Sequence, residues 1–584
     1  MPAEPHVTLQ RRLLEQLESD PEARALAIYK ADGSFVWLTR SELYERAAGA
    51  TERLVSRGLR PGNICLIVLR GAEVTTRIVL AVLRQGAIPL LMAPPLRGNA
   101  KYWSGHFEYV VRKSRARFVV FEKPPITSDN FPRGTTFLQA DELIGLGPPQ
   151  EGWNLQPDTL SPVTMQLTSG TTRAPRICVW NHRALVAVLD TTAEAITLRS
   201  SDIILTWTPL YHDLGLVNNF LLSLVEGTPL VLIDPIDFVK NPSIWLQAMS
   251  RTGATVSWAP NFGFALATSR VADDDLRDVR LDHVRAFWNG GERVYLNTVR
   301  EFENRFREYG LRTDGVKTSY GAAENVGGAT FSDPAAPIVV EHVDRRILRE
   351  QGVAKPVERG GSDEHGIAVV SVGRPRPGVE IRITNSRGGS LPDGHVGEIA
   401  LATPSRMTGY LHDARASQRA LRWGLLRMGD LGYRRGHEVF WLGRTSERIT
   451  IRSTKLDPSD LEPILLSVAG LREGAFAAFG VDDEDTGTQR LVILTEVRMP
   501  LARPLEEVSA EIKQRVFLDW AVNVSDLVFV EPGTLTKTSS GKRRHTHFRE
   551  LYRQGALNRV LKNSQGCRYG HRGGRCKAAR RRRY

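Results

Sequence analysis

The sequence is poor in cysteine and has no long apolar run. Four cysteines in 584 residues supply no disulfide framework. No stretch approaches the roughly 18 apolar residues that a membrane span needs, so no membrane span is expected. The N-terminus, MPAEPHVTLQRRLLEQLESDPEA, lacks an apolar core and carries acids, so it does not read as a signal peptide. A cytoplasmic location is the default expectation. The patterns G-x-x-x-x-G-K-[ST], G-x-G-x-x-G, G-x-S-x-G and H-E-x-x-H are all missing. Their absence argues against Walker NTPases, Rossmann dehydrogenases, serine hydrolases and zincins.

What is there reads as a large globular protein. Hydrophobic residues make up 41% and charged residues 24%, which argues against wholesale disorder. At roughly 100–200 residues per domain, the length suggests a large body and at least one further domain. The net charge of +13 sits almost entirely in the tail. From Leu551 to Tyr584 there are eleven Lys and Arg and no acid, and the rest is nearly neutral. No specific nucleic-acid partner is therefore expected of the body.

Along the chain, helical and extended patterns alternate. LTRSELYERAAGATERLVSRG reads as a helix with Ser41 as a possible N-cap and Gly58 as its stop. NICLIVLR reads as a buried strand, and EVTTRIVLAVLRQGA as a helix closed by Gly86. The fold class expected is α/β: a large multi-sheet N-terminal domain over 1–446, with a β-rich subdomain at about 371–443. A small, mobile α+β C-terminal domain follows over 447–562, then a basic, disordered tail over 563–584. Cys567, His571 and Cys576 in that tail are three zinc-type ligands where structural zinc needs four.

Six segments carry chemistry. MQLTSGTTRAPR opens from a strand into Thr168, Ser169, Gly170, Thr171 and Thr172, a donor-rich loop suited to phosphate oxygens. Short Ser/Thr/Gly clusters are otherwise ordinary turns. TWTPLYHDLGLV places His212 and Asp213 before a long apolar segment, where a capped helix start is the simpler reading. FWNGGERV and TSYGAAEN set Glu292 and Glu324 beside small residues after strands. An aromatic such as Tyr320 can stack on a purine, and Glu324 can hold Mg²⁺. RMGDLGYRRGHEVFWLGRTSERITIRS puts Asp430 on a turn suited to ribose hydroxyls, with Arg444 following a glycine. LTKTSSGKRRHTHF sets Lys542 on a small-residue turn.

The ordered series TSGTT, YHDLG, NGGE, YGAAE, GDLG, GR and SGK resembles the adenylate-forming (ANL) superfamily over nearly the whole chain. Within it, PLYHDLGLV, DFVKNPSIWLQAMSRTGATVSWAPNFGF and SVGRPRPGVEIRI look like the fatty-acyl-AMP ligases. HVDRRILREQGVA, between Asn325 and Val372, resembles the helical segment those ligases carry there.

The resemblance implies ATP-dependent activation of a carboxylic acid, a fatty acid, to acyl-adenylate with release of pyrophosphate. The acyl group then passes to the phosphopantetheine of an acyl carrier protein or of a polyketide or peptide synthase carrier domain. ATP and Mg²⁺ are the implied cofactors. Thr168 to Arg176 would grip the β- and γ-phosphates. Gly290, Gly291 and Glu292 with Ser319, Tyr320 and Gly321 would form the adenine slot. Glu324 would hold Mg²⁺, Asp430 the ribose with Arg444 beside it, and Lys542 the carboxylate and α-phosphate. His212 is a further catalytic candidate. Trp207, Trp258, Phe262 and Phe264 would wall an acyl tunnel. Arg173 and Arg176 depart from the family's S-G-[ST]-T-G-x-P-K-G loop, and the hinge acid is Glu447 rather than Asp. Ser453, where the family usually has Gly, argues weakly against CoA. An acyl-CoA or aryl-CoA ligase and a degenerate, non-catalytic homologue are the alternatives.

Overall fold

The computed structural model describes residues 7–95, 100–122, 131–155, 158–168, 175–357, 366–451, 454–483, 488–501, 503–520, 522–538 and 542–557. Ser169, Gly170, Thr171, Thr172 and Arg173 of the hydroxyl-rich loop, Ser453, and the tail with Cys567, His571 and Cys576 lie outside the described residues. The chain falls into two compact units. The larger runs to Ser446 and takes Lys542 as well; the smaller takes Glu447–Thr538 and resumes at Arg543.

Three large sheets and one two-stranded pair, Val340–Asp344 with Gly366–Val370, build the larger unit, and the first large sheet has nine strands. Its order is Arg374–Pro375, Gly327–Phe331, Val316–Ala322, Ala286–Gly290, Val256–Ala259, Ile204–Thr206, Leu230–Ile233, Arg24–Tyr29 and Trp37–Thr39. The second has seven: Gly409–Tyr410, Ile177–Asn181, Pro162–Leu167, Ile88–Leu91, Ile64–Val68, Phe118–Phe121 and Thr136–Gln139. Most neighbours in both are parallel, but Val316–Ala322 with Gly327–Phe331 and Pro162–Leu167 with Ile177–Asn181 run antiparallel. Their strands are short continuous apolar runs, such as ICLIV at Ile64–Val68, because helices cover both faces. The third sheet is antiparallel, ordered Glu380–Thr384, Gly397–Ala402, Leu426–Arg435 and Glu438–Arg444. The α/β multi-sheet architecture with a smaller second unit agrees with the expectation.

One helix start differs from the sequence reading. The helix Arg40–Ser56 is capped by Thr39 rather than Ser41. The Thr39 hydroxyl accepts from Glu42 N–H, and the Glu42 carboxylate accepts from Thr39 N–H. This reciprocal pair satisfies two otherwise orphaned donors, which Ser41 has no acid correctly spaced to do. The segment after Asn325 does hold a helix, Arg345–Gln351, capped by Asp344 on Ile347 N–H.

Aromatic packing fixes one flank of the nine-stranded sheet. Trp245 is fully buried, with ring centroids of Phe264, Phe287 and Phe302 at 5.4, 5.1 and 5.8 Å. Its indole N–H donates to Ser257 Oγ at 2.9 Å, so the ring is buried without an orphaned donor.

The smaller unit is a sheet of Leu471–Asp483, Thr488–Val497 and Val524–Val530. Alternation along the first strand sends Phe476 and Ala478 to one face, where the helix Leu505–Trp520 packs through Val508, Ile512, Val516 and Trp520. Ala477 and Phe479 face the other side, against Phe548 and Tyr552 of the helix His545–Arg553.

Buried neutral histidines tie both units to pH. Burial pushes His545 down to about 3, with Arg543 adding to the effect, while its Nδ1 accepts from Ala478 N–H at 3.1 Å. In the larger unit burial pushes His182 down to about 4, and its Nδ1 accepts from Leu9 N–H at 3.2 Å. Both folded values lie below the free value of 6.5. The unfolded chain therefore binds more protons below pH 6.5, and stability falls as pH drops through that window toward 3–4. Urea unfolding of the full chain at pH 7 and pH 5 should show lower midpoints at pH 5. His545→Asn, which keeps an acceptor for Ala478 N–H, should flatten part of that slope; an unchanged slope would show that His545 does not contribute.

Candidate functional site

The site grows from strand ends of the three sheets. In the nine-stranded sheet Ala286–Gly290 lies parallel to Val316–Ala322, with Gly290 opposite Ser319. A Cβ on Gly290 would fall 2.4 Å from Ser319 Oγ, so only glycine allows these strands to close here. Beyond Gly290 come Gly291 and Glu292, whose carboxylate accepts from Phe262 N–H at 2.6 Å. Beyond Ser319 come Tyr320 and Gly321, then a short 3₁₀ turn, Ala323–Asn325, that carries Glu324.

Tyr320 joins this sheet to the antiparallel one. Its hydroxyl donates to Asp430 Oδ2 at 2.8 Å, and Arg444 Nε donates to Asp430 Oδ1 at 3.2 Å. Asp430 is buried, so its charge needs these donors. Burial first, and then the Asp430 charge, push the Tyr320 phenol well above its ordinary range, which keeps it a donor. Asp430 and Arg444 are cross-strand partners in the hairpin of Leu426–Arg435 and Glu438–Arg444, which explains their proximity across 14 residues.

The base of the hydroxyl-rich loop is closed by a reciprocal pair. Thr168 N–H donates to Arg176 O at 2.9 Å, and Arg176 N–H to Thr168 Oγ at 3.1 Å. The Arg176 guanidinium lies 5.1 Å from the Tyr410 ring centroid and 3.8 Å from the Asp413 carboxylate. Tyr410 in turn donates to Glu324 Oε1 at 2.7 Å. The loop base and Glu324 are thus linked through Tyr410, a residue the sequence reading passed over. Tyr410 stands 86 positions from Glu324, and no local pattern marks it.

His212 and Asp213 begin the helical run that leads through Leu216–Leu221 to Glu226. His212 Nδ1 lies 2.7 Å from Asp213 Oδ1 and 3.2 Å from Leu214 N. The shorter contact favours Nδ1–H donating to Asp213. Burial raises the Asp213 carboxyl, but His212, Lys542 and the Leu214 N–H outweigh it and bring it down to about 2. Lys542 is partly buried; burial and Arg444 lower its pKa, while Asp213, Glu292 and Asp430 act the other way.

The expected tunnel walls are not open. Trp207 stacks on Phe238 at 3.7 Å between centroids, and a Cβ on Gly263 would fall 2.4 Å from it. Trp258 stacks on Trp288, Phe264 packs on Trp245, and both are fully buried. These rings fill space against one another because large aromatics in adjacent elements gain more from contact than from lining a void. Only Phe262, half-buried, keeps exposed surface among the four.

The model of the family described as "AMP-binding enzyme" matches residues 13–411. The chain belongs to the AMP-binding enzyme family. A long-chain-fatty-acid–AMP ligase of Mycobacterium marinum is 26% identical to it, over 94% of this chain and 97% of that one. A 4-hydroxyphenylalkanoate adenylyltransferase of the same species is 27% identical, over 91% and 88%. A solved structure from a study of fatty acyl-adenylate ligases from E. coli and L. pneumophila superposes with a TM-score of 0.86 at 26% identity, covering 94% and 98%. Among the described residues no helix of this AMP-binding enzyme is long and apolar enough to cross a membrane.

Within this AMP-binding enzyme, Cys178 occupies the strand that leaves the hydroxyl-rich loop, opposite Tyr410. Burial, with Glu324 and Asp213 adding, pushes its thiol well above the usual range; burial alone pushes Cys65 up to about 12. Neither is a nucleophile in the folded protein. Iodoacetamide at pH 8, read by peptide mass spectrometry, should modify neither Cys65 nor Cys178 until denaturant is added. Native modification of Cys178 would show that its strand opens.

Proposed function

We propose that this protein activates a fatty acid in two half-reactions. In the first, a carboxylate oxygen attacks the α-phosphorus of ATP. The bond from that phosphorus to the bridging oxygen breaks, giving acyl-adenylate and pyrophosphate. In the second, a carrier-protein phosphopantetheine thiol loses its proton and attacks the acyl carbonyl, and AMP leaves. The observation that carries this reading is the buried Tyr320–Asp430–Arg444 cluster at the meeting of two sheets. Family membership and near full-length likeness to a fatty-acid–AMP ligase support it.

Asp430 takes the ribose hydroxyls. Each carboxylate oxygen offers about two acceptor directions, so one remains on each after the bonds from Tyr320 and Arg444. Gly290 to Glu292 and Ser319 to Gly321 form the adenine slot. Thr168, Ser169, Gly170, Thr171, Thr172 and Arg176 hold the β- and γ-phosphates. Glu324, with one oxygen steadied by Tyr410, suits Mg²⁺ in the mode of one carboxylate plus substrate phosphates. The ion would neutralise phosphate charge. Lys542 meets the charge that grows on the α-phosphate, an interaction worth more in the transition state than before it. His212, its ring oriented by Asp213, belongs to the same reacting centre. The segment from Glu447 to 562 acts as the lid of the site.

Acid-dependent pyrophosphate release, assayed with fatty acids of graded length and with carrier protein or CoA as acceptor, tests the reading. Transfer to carrier but not to CoA is expected, and thioester formation on CoA would favour the CoA-ligase alternative. Lys542→Ala should lower the adenylation rate by about 10²–10³, the usual cost of one preorganised donor. Asp430→Ala should instead raise the KM for ATP, because ribose contacts are alike in ground and transition states. No pyrophosphate release with any acid would leave a non-catalytic homologue.

A further inference from the structure

Asp430 does not lie on a turn, as the sequence suggested: it lies within the strand Leu426–Arg435, and that strand is irregular there. Glu398 pairs with Leu431 and Ala400 with Arg427, so one residue on one strand faces three on the other. Met428, Gly429 and Asp430 are bulged out of the ladder with Gly397–Ala402, while Asp430 stays paired with Arg444 on the other side, and Gly429 is at φ +78°. Both polar groups of Gly429 are held. Its N–H donates to Glu398 Oε1 at 3.2 Å, and its carbonyl accepts from Thr445 N–H at 2.8 Å, one residue beyond Arg444. The other Glu398 oxygen is bonded by Arg427.

Arg427 is itself braced. Its guanidinium lies 4.8 Å from the Trp423 ring centroid, and that of Arg422 lies 4.3 Å from it. Trp423 stands at φ +59°, ψ +28°, a left-handed conformation that costs a bulky residue energy. It is 47% exposed, so burial of the ring does not account for that cost. Gly388, in the neighbouring turn, lets the ring lie where a Cβ would be 2.4 Å away. Bulges and strained residues gather where a side chain must be aimed.

We propose that Glu398 is a positioning residue for nucleotide binding: through Gly429 N–H on one side and the Arg427–Trp423 stack on the other, it sets the bulge that aims Asp430. This rests on the reading of Asp430 as the ribose ligand. Gly429 N–H holds one Glu398 oxygen and Arg427 the other, so Glu398 acts through the bulge, and its effect must vanish when the ribose hydroxyls are absent.

The experiment compares KM for ATP and for 2′,3′-dideoxy-ATP in fatty-acid-dependent pyrophosphate release by the full chain. Glu398→Ala should raise the KM for ATP about tenfold, keep kcat within about twofold and leave the KM for the dideoxy nucleotide unchanged. Glu398→Gln, which keeps an acceptor for Gly429 N–H but loses the ion pair, should recover part of the loss. Trp423→Ala should repeat the pattern more weakly, with Trp423→Phe close to the parent. Asp430→Ala separates the two claims. If it does not raise the KM for ATP, the ribose reading falls and this inference with it. If it does, while Glu398→Ala raises both nucleotides' KM equally or neither, the positioning role alone is overturned. Thermal melts check folding; should Glu398→Ala not fold, Glu398→Gln and Trp423→Ala carry the same comparison, and the absence of a ribose-selective rise in both overturns the proposal.

Discussion

A buried carboxylate organises the larger unit. Asp430 is almost wholly removed from water, and a charge in that position is stable only when its oxygens are bonded. One donor comes from the nine-stranded sheet through Tyr320, the other from its own hairpin through Arg444. Two sheets that share no strand are thereby held to a common point. The phenol stays protonated because burial and the carboxylate both oppose its ionisation. A donor fixed in that state serves geometry better than a mobile surface lysine would.

The seven-stranded sheet reaches the same region by a second link. Tyr410, on an edge strand, bonds Glu324 on the turn that ends Val316–Ala322. Arg176 lies over the Tyr410 ring, at the base of the hydroxyl-rich loop. Charges of both signs thus collect where parallel strands end, the usual place for ligands in open α/β sheets. The apolar side of the nine-stranded sheet is finished differently. Trp245 and its aromatic neighbours fill their space with edge-to-face contacts, leaving rigidity on one flank and polar groups on the other.

Much of this could be read locally. Helices with glycine stops, apolar strands and the ordered short motifs depend on residues close in the chain, and local spacing carries them. The helix start is locally encoded as well: Thr39 with Glu42 three residues on is a capping box, a pattern Ser41 cannot complete. The aromatic walls misled for a different reason. Hydrophobicity says that Trp207, Trp258 and Phe264 are buried; it does not say whether they face a channel or each other.

The family, the alternation of elements and the identities of the polar residues near strand ends are all legible in the chain, because each is encoded at short range or in motif order. The partners of those residues follow from the packed fold alone. Tyr320 meets Asp430 across 110 positions, Tyr410 meets Glu324 across 86, and Glu398 meets Gly429 across 31. Such pairings arise from sheet register and from a bulge of Met428 to Asp430, and no local pattern encodes which side chain a strand end will face once the sheets have packed.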